Sequence, residues 1–173
     1  NQWTFSNMIA ACEIVSGSVD GDDLMNSGED MWGMIGGDDP VFYLYAATGR
    51  QFAHIDEGGY LEYDFGYDED SIVVMQDIFE DVMYADWYIN RVVDKTTIID
   101  PYEGNIFADG HALFAGDMVK SVNGLSEMQD LYGILPYPKY DEDQEDYHSL
   151  VWIHHDSILG IPADVADAEM CAV

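Results

Sequence analysis

The chain alternates between segments with helical apolar spacing and short apolar runs, and this alternation limits the folds that it can adopt. Thr4 can cap a helix that runs to about residue 15, because the apolar residues after it recur every three or four positions. Pro40 suits the first turn of a second helix, over 40–47. A longer helix is predicted over 68–90, with apolar residues along one face and acidic residues along the other. Further helical stretches are predicted over 101–110, over 118–130 with an interruption at Asn123-Gly124, and after Pro162.

Short apolar runs between these helices predict strands. Two of the runs flank Glu57-Gly58-Gly59, which is typical of a hairpin turn. The run that contains Ile134 and Leu135 follows a glycine and leads to two prolines, so we expect it to be a buried strand. The whole pattern predicts an α/β fold with mixed strand directions. The predicted strands cover residues 32–35, 54–56, 60–64, 112–114, 132–136, 149–153 and 158–161.

The charge of the chain excludes several classes of partner. Its 173 residues include 35 Asp and Glu but only 5 Lys and Arg, a formal net charge of -30. Such a surface repels phosphate backbones and anionic lipid headgroups, so we expect no nucleic-acid partner and no binding to a membrane surface. No apolar run approaches the roughly 20 residues that span a bilayer, so we expect no direct membrane insertion of this segment. The simplest interpretation of the charge is a solvated, self-repelling exterior, although it would also attract calcium or a cationic ligand.

The two ends of the chain and its two cysteines bear on its origin. Trp3 and Thr4 already begin a helical pattern, and the last residues fall inside another, so we expect a part of a longer protein from which a targeting segment has been removed. Cys12 and Cys171 would pair in an oxidising compartment or remain two buried free thiols, and two unclustered cysteines leave both interpretations open.

Five short segments carry a resemblance to a known family. Residues 107–113 follow the pattern Phe-x-x-Gly-x-Ala-apolar, and residues 132–138 follow Tyr-Gly-apolar-apolar-Pro-apolar-Pro. The other three are Trp3-Thr4-Phe5, the loop from Asp20-Gly21-Asp22 to Asp30-Met31-Trp32-Gly33, and Ile158-Leu159-Gly160-Ile161-Pro162. In order and spacing, these segments resemble the extracellular solute-binding proteins of the maltodextrin-binding type, which are the sugar-capturing subunits of ABC importers. The chain departs from the family after Phe5, where Ser6-Asn7 replace the usual acidic residue.

The resemblance implies a partial type II solute-binding fold, a periplasmic-binding-protein-like lobe with a mixed β-sheet flanked by helices. Residues 1–156 would form the second, C-terminal lobe, and residues 157–173 a return segment toward the other lobe. The implied activity is binding, not catalysis: two lobes close around a sugar or oligosaccharide and then dock on an ABC permease in the membrane. The implied location is extracellular, as a cell-surface lipoprotein, or periplasmic.

Two pairs of candidate ligand contacts follow predicted strands. The family carries acidic and aromatic sugar contacts near the start of the second helix, so the resemblance implies ligand-binding roles for Asp39 and Tyr43. A carboxylate at a helix start is also favourable without a ligand, because the N-terminus of a helix is positive, and Phe42 is expected to pack in the core. The resemblance implies a second pair of contacts, Asp117 and Met118, although Asp117 would alternatively cap the following helix.

Trp152 and His154 are further candidates, because the family's chain recrosses the hinge in this region. The indole face of Trp152 matches the C–H face of a pyranose, although tryptophans usually pack in cores. His154 and His155 are neighbours on a predicted strand and would point to opposite faces. Their imidazoles would converge poorly on a metal ion, so hinge hydrogen bonding is the favoured role.

An acidic loop over residues 20–30 provides the alternative function. Asp20, Asp22 and Asp30 are weak candidates for calcium ligands, but Met25 stands where an EF-hand loop counted from Asp20 requires glycine. A plain acidic turn is therefore favoured, and calcium is the one cofactor that remains open. The corresponding alternative is an acidic, calcium-dependent surface or adhesion module. A glycoside hydrolase fragment is a third hypothesis, although the sequence contains none of the common catalytic motifs.

Overall fold

The first helix shows how local sequence signals set the architecture. A computed structural model describes residues 2–22, 25, 29–66, 69–90, 106–117 and 119–150. Helix α1 is Phe5–Val15, and Thr4 caps it as predicted, because the Thr4 hydroxyl accepts a hydrogen bond from the Asn7 amide at 3.4 Å. The inward side of α1 carries buried residues at helical spacing: Phe5, Met8 and Cys12.

The other described elements alternate between strands and helices. Strand β1 is Trp32–Gly36, and helix α2, Pro40–Ala47, begins at the predicted proline. Strands β2 and β3, Ala53–Ile55 and Leu61–Tyr63, form the predicted antiparallel hairpin. Helix α3 is Glu69–Ile78 and continues into a π-helical turn over Phe79–Met83. Strand β4 is Tyr88–Asn90, and strand β5 is Ala112–Ala115. A 3-10 helix, Val119–Leu125, follows β5.

The main sheet is parallel and has β1 at its centre. Its order is β4-β1-β5, and both neighbours pair parallel to β1. All five residues of β1 are buried, as expected for a strand in a parallel sheet that is covered on both faces. The described residues therefore form a mixed α/β fold, with a small parallel sheet flanked by helices and a separate antiparallel hairpin.

Two apolar clusters pack against this sheet. The larger joins α1, α2 and α3 to one side of it and includes Met34, Leu44 and Ile78. The smaller surrounds Trp32, Ile35 and Ile89. Because adjacent residues of a strand point to opposite faces, β1 contributes Met34 to the first cluster and Ile35 to the second.

The chain that leads into α1 runs beside residues 136–140. Thr4 and Lys139 form a parallel bridge, in which the Phe5 amide donates to the Lys139 carbonyl at 2.8 Å and the Lys139 amide donates to the Trp3 carbonyl at 3.1 Å. The Trp3 indole N–H donates to the carbonyl of Pro136 at 2.9 Å. The side chain of Lys139 is buried, and its ammonium donates to Gln2 and to the carbonyl of Gln144.

The predicted helix over 68–90 is too long. It ends after the π-helical turn, where the Tyr84 amide donates to the Phe79 carbonyl, and Tyr88–Asn90 instead form β4. Met34 pairs with Tyr88 and Gly36 with Asn90, so ladder bonds to β1 replace a helical continuation. Long-range pairing overrides the local apolar pattern, which fits either structure at these positions.

Other predicted elements also differ. Residues 132–136 form no strand: Ile134 and Leu135 are 64% and 59% exposed, because the segment has no ladder to a described neighbour. The 3-10 helix passes through Asn123-Gly124 without the predicted break, and residues 126–130 are not helical. Phe42 is not a core residue, since it is 41% exposed and rests edge-on against Phe52.

Several predictions are tested only in part or lie outside the described residues. Residues 106–110 form turns, while the first half of the helix predicted over 101–110 lies outside them. Ser149 and Leu150 are not in a strand, and the remainder of that prediction, the last strand and the last helix lie outside. Among the described residues, every helix is too short or too polar to cross a bilayer.

Gly33→Ala should destabilise the fold. A Cβ on Gly33 would lie 2.9 Å from the Cys12 Cα and 3.0 Å from the Trp87 Cε3, so α1 and β1 would have to separate. Overpacking of this kind costs about 1–3 kcal/mol in the free energy of unfolding. Gly17→Ala is the matched control, because a Cβ there meets no atom within 4 Å. Urea titration followed by circular dichroism measures both, and equal stability of the two variants would contradict the close packing.

Cys12 should be unreactive in the folded protein. Burial, followed by the neighbouring Glu13 carboxylate, raises the pKa of its thiol to about 12. Since the thiolate is the reactive form, only roughly one thiol in 10⁴ would be ionised at pH 8. In a Cys171→Ala background, mass spectrometry should show no alkylation by iodoacetamide at pH 8 until guanidinium unfolds the chain. Rapid labelling before unfolding would contradict the buried position of Cys12.

Candidate functional site

The carboxyl edge of the parallel sheet gathers several polar residues. Parallel strands end at the same edge, and here the register places Gly36 beside Asn90 and Ile35 beside Ala115. The residues that follow β1 and β5 therefore meet at this edge, which is where open α/β sheets usually bind ligands. They include three carboxylates, on Asp38, Asp39 and Asp117, and Asn90 ends β4 at the same edge.

Hydrogen bonds fix the loop that leaves β1. The Tyr88 hydroxyl donates to the buried carbonyl of Gly37 at 2.7 Å. The side-chain amide of Asn90 donates to the Asp38 carboxylate, also at 2.7 Å. Because both donors lie on β4, the neighbouring strand determines the path of the chain between β1 and α2.

Glycines let the chain approach closely at this edge. A Cβ on Gly36 would lie 2.5 Å from the Tyr88 hydroxyl oxygen and 2.8 Å from the Pro40 Cγ. At Gly116, after β5, an added Cβ would lie 2.5 Å from the Met34 Cε and 3.3 Å from the Tyr137 hydroxyl oxygen. The start of α2, the end of β5 and the Tyr137 side chain therefore lie against one another.

The structure brings three of the predicted site residues to this edge. Asp39 is at the N-cap position of α2, half-buried, but its side chain makes no capping hydrogen bond. Its carboxylate is thus not used by the helix backbone through a hydrogen bond, while it still lies in the favourable field of the helix N-terminus. Asp117 is also half-buried and follows Gly116 directly. Gly116 lies against Pro40. Asp117 is the neighbour of Gly116 and Asp39 is the neighbour of Pro40, so each aspartate is one residue from this contact.

Tyr43 lies on α2 and is only 9% exposed. Its ring stacks on that of Tyr137, with a centroid distance of 5.7 Å and an interplanar angle of 27°. Tyr137 is half-buried, so it presents more of its surface at this edge than Tyr43 does. The other predicted contacts, Met118, Trp152 and His154, lie outside the described residues.

Arg50 and Lys139 serve contacts away from the sheet edge. Arg50 lies over the ring of Tyr140, 5.9 Å from its centroid, and the Lys139 ammonium is held by Gln2 and Gln144. The Tyr140 hydroxyl donates to Asp77 at 2.7 Å, and this hydrogen bond is the main cause that raises the Tyr140 pKa to about 12. Neither Arg50 nor Lys139 therefore balances the carboxylates at the sheet edge.

The acidic loop has a structural organisation of its own. Asp20 accepts hydrogen bonds from the Ser18 hydroxyl and the Asp22 backbone N–H, both at 3.0 Å. The hydrogen bond from the Asp22 N–H is the largest of the causes that lower the pKa of Asp20. Asp30 is fully buried and accepts the Val19 amide at 2.7 Å. Within the described part of the chain, no three His, Cys, Asp or Glu side chains are grouped to hold a metal ion. The calcium prediction gains no support from these residues.

A shallow groove lies on another part of the surface, at the amino end of β1. Its volume is about 270 Å³, just below the roughly 300–1,000 Å³ of typical ligand pockets. It is open to solvent and has two carboxylates on its rim. Its lining residues are Glu13, Ser16, Gly17, Met25, Asp86 and Trp87.

Sequence reasoning missed two residues of the sheet edge. Asn90 is missed as a site residue because the sequence analysis predicts one helix over residues 68–90. An amide side chain directly after Tyr88-Ile89 is nevertheless a signal for the end of a strand. Tyr137 reaches the edge only through the packing of residues 136–140 beside the chain before α1, a long-range arrangement that no local pattern reveals. Comparisons with protein-family models, curated proteins and solved structures find no match to this chain.

Tyr88→Phe should loosen the sheet edge. The substitution removes the donor to the buried Gly37 carbonyl, and a buried group left without its partner costs about 1–3 kcal/mol. Thermal and urea unfolding measure the loss. Tyr84→Phe is the control, because Tyr84 is 77% exposed and its substitution should change stability by less than about 0.5 kcal/mol. A similar small effect for both would show that the Tyr88 hydroxyl does not stabilise the loop.

Proposed function

We propose that this chain is one lobe of an extracellular solute-binding protein, which binds a sugar or oligosaccharide at the carboxyl edge of its parallel sheet. The observation that carries the proposal is the half-buried Asp39, whose side chain makes no capping hydrogen bond although it stands at the start of α2. A carboxylate there accepts hydrogen bonds from ligand hydroxyls in the favourable field of the helix N-terminus.

The other groups at the edge suit the same ligand. Asp117 supplies a second acceptor, and Asn90 lies beside the loop as a donor that also orients Asp38. Tyr137, backed by Tyr43, supplies an aromatic surface, and sugars are bound by flat apolar faces together with a few placed polar groups. The carboxylates of Asp39 and Asp117 repel an anion, so the proposed ligand is neutral.

The mechanism follows from the position of the site on the surface of a single lobe. An opposing lobe would close over the edge and exclude water from the ligand, and the closed form would then dock on an ABC permease in the membrane. A lobe by itself binds weakly, since it makes only part of the contacts and leaves the ligand in water. A protein of this kind works in the periplasm or tethered to the cell surface as a lipoprotein, and the charge of -30 keeps its surface from binding anionic lipid.

Sugar binding and its dependence on Asp39 test the proposal. We expect one class of neutral mono- or oligosaccharide to bind at millimolar concentration in NMR or calorimetric titrations. Asp39→Asn should weaken that binding roughly 10- to 100-fold, the range for loss of a charged hydrogen-bond acceptor. Asp81→Asn is the matched control, because Asp81 is exposed on the π-helical turn away from the sheet edge.

Two outcomes would contradict the proposal. One is unchanged sugar binding in Asp39→Asn, which would remove the sheet edge as the site. The other is a melting temperature that rises with millimolar calcium while no sugar has any effect, which would favour the calcium-dependent surface module.

A further inference from the structure

The hairpin of β2 and β3 is held together by hydrogen bonds in its own turn. Asp56 accepts the Tyr60 amide at 2.7 Å through its carboxylate, and its carbonyl accepts the Gly59 amide at 3.0 Å. Gly59 has φ +85°, a conformation that glycine adopts without strain. These bonds fix the register and hence the face on which each side chain lies.

The hairpin has one polar face and one apolar face. His54 and Glu62 are opposite each other on the polar face, where the His54 Nδ1 lies 2.8 Å from an Asp64 carboxylate oxygen and its Nε2 lies 3.7 Å from Glu62. The register places Ala53, Ile55, Leu61 and Tyr63 together on the other face. Ile55, Leu61 and Tyr63 are 64%, 57% and 66% exposed, although an apolar sheet face is normally covered.

The base of the hairpin is attached to the domain by aromatic packing. Phe52 and Phe65 flank it, and their rings lie 4.7 Å and 5.5 Å from that of the buried Tyr45 on α2. The carbonyl of Phe52 also accepts the amides of Asp64 and Phe65. The base is thus fixed while the apolar face remains on the surface, so the face is preorganised for a partner and needs little ordering on binding.

Charge determines which partner fits this face. Residues 51–64 contain four acidic side chains, on Asp56, Glu57, Glu62 and Asp64, and no Lys or Arg. A second copy of the chain would bring a charge of -30 against another -30, and an anionic membrane would be repelled in the same way. We propose that the apolar face of the β2–β3 hairpin docks a protein surface with an apolar centre surrounded by Lys or Arg. This inference is independent of the sugar site, because it uses no residue of the sheet edge.

A pair of synthetic peptides tests the docking surface. One is a labelled 12-residue peptide of alternating Leu and Lys, and the other has Ser in place of each Leu, so that both carry the same charge. In fluorescence anisotropy, the Leu peptide should bind the 173-residue chain at least tenfold more tightly than the Ser peptide. The double variant Ile55→Ser, Leu61→Ser should reduce Leu-peptide affinity roughly tenfold, because both side chains lose apolar contact. Ile14→Ser should leave the affinity unchanged, since Ile14 is 83% exposed on α1.

Three results would overturn the inference. Equal binding of the two peptides would reduce the interaction to charge alone, and equal affinity of the double variant and the wild-type chain would place the contact elsewhere. Sedimentation showing a dimer of the wild-type chain, but not of the double variant, would identify the occupant as a second copy. Circular dichroism checks that the double variant folds. If the double variant does not fold, the single variant Tyr63→Ser is used in its place.

Discussion

The close contact of β1 with its neighbours is the constraint on which the rest of the structure depends. Gly33 brings the strand against α1 at Cys12, and Gly36 brings it against Tyr88 and Pro40. Any larger side chain at either position would push a helix or a strand away. Because β4 and β5 both pair with β1, a displacement of this strand would separate the two halves of the sheet and disperse the residues at its carboxyl edge.

The sequence predicts the elements whose signals are local. Thr4 marks the start of α1, Pro40 marks that of α2, and Gly58-Gly59 mark the hairpin turn, because a cap, a fixed φ and a turn conformation each depend on a few adjacent residues. The end of α3 and the fate of residues 132–136 could not be read in this way. In both segments the apolar pattern fits more than one structure, and pairing with a distant strand decides which one forms. Tyr88–Asn90 find such a partner in β1, whereas residues 132–136 find none among the described residues.

The candidate site divides along the same line. Asp39 and Asp117 could be proposed from sequence because each follows a strand that the sequence also predicts. Their proximity depends on Gly116 meeting Pro40, which requires the strand order and the register. Asn90 could be found only by recognising strand β4, which the sequence analysis takes for helix. Tyr137 could be found only from its packing on Tyr43, although it lies about 90 residues beyond the end of α2. Residue type thus indicated the chemistry of the edge, while long-range topology assembled it.

The parallel bridge between Thr4 and Lys139 has a mechanical consequence. Parallel neighbours that are pulled in opposite directions along their length are loaded in shear, so their bonds resist together and do not open one after another. Tension that draws the chain before Trp3 away from the chain after Tyr140 would therefore act at once on three bonds: the Trp3 indole to Pro136, the Lys139 amide to Trp3, and the Phe5 amide to Lys139. The buried ammonium of Lys139, anchored on Gln2 and Gln144, adds a side-chain clamp at the same point, so that force applied through the ends of this region would reach the sheet only after the clamp had yielded.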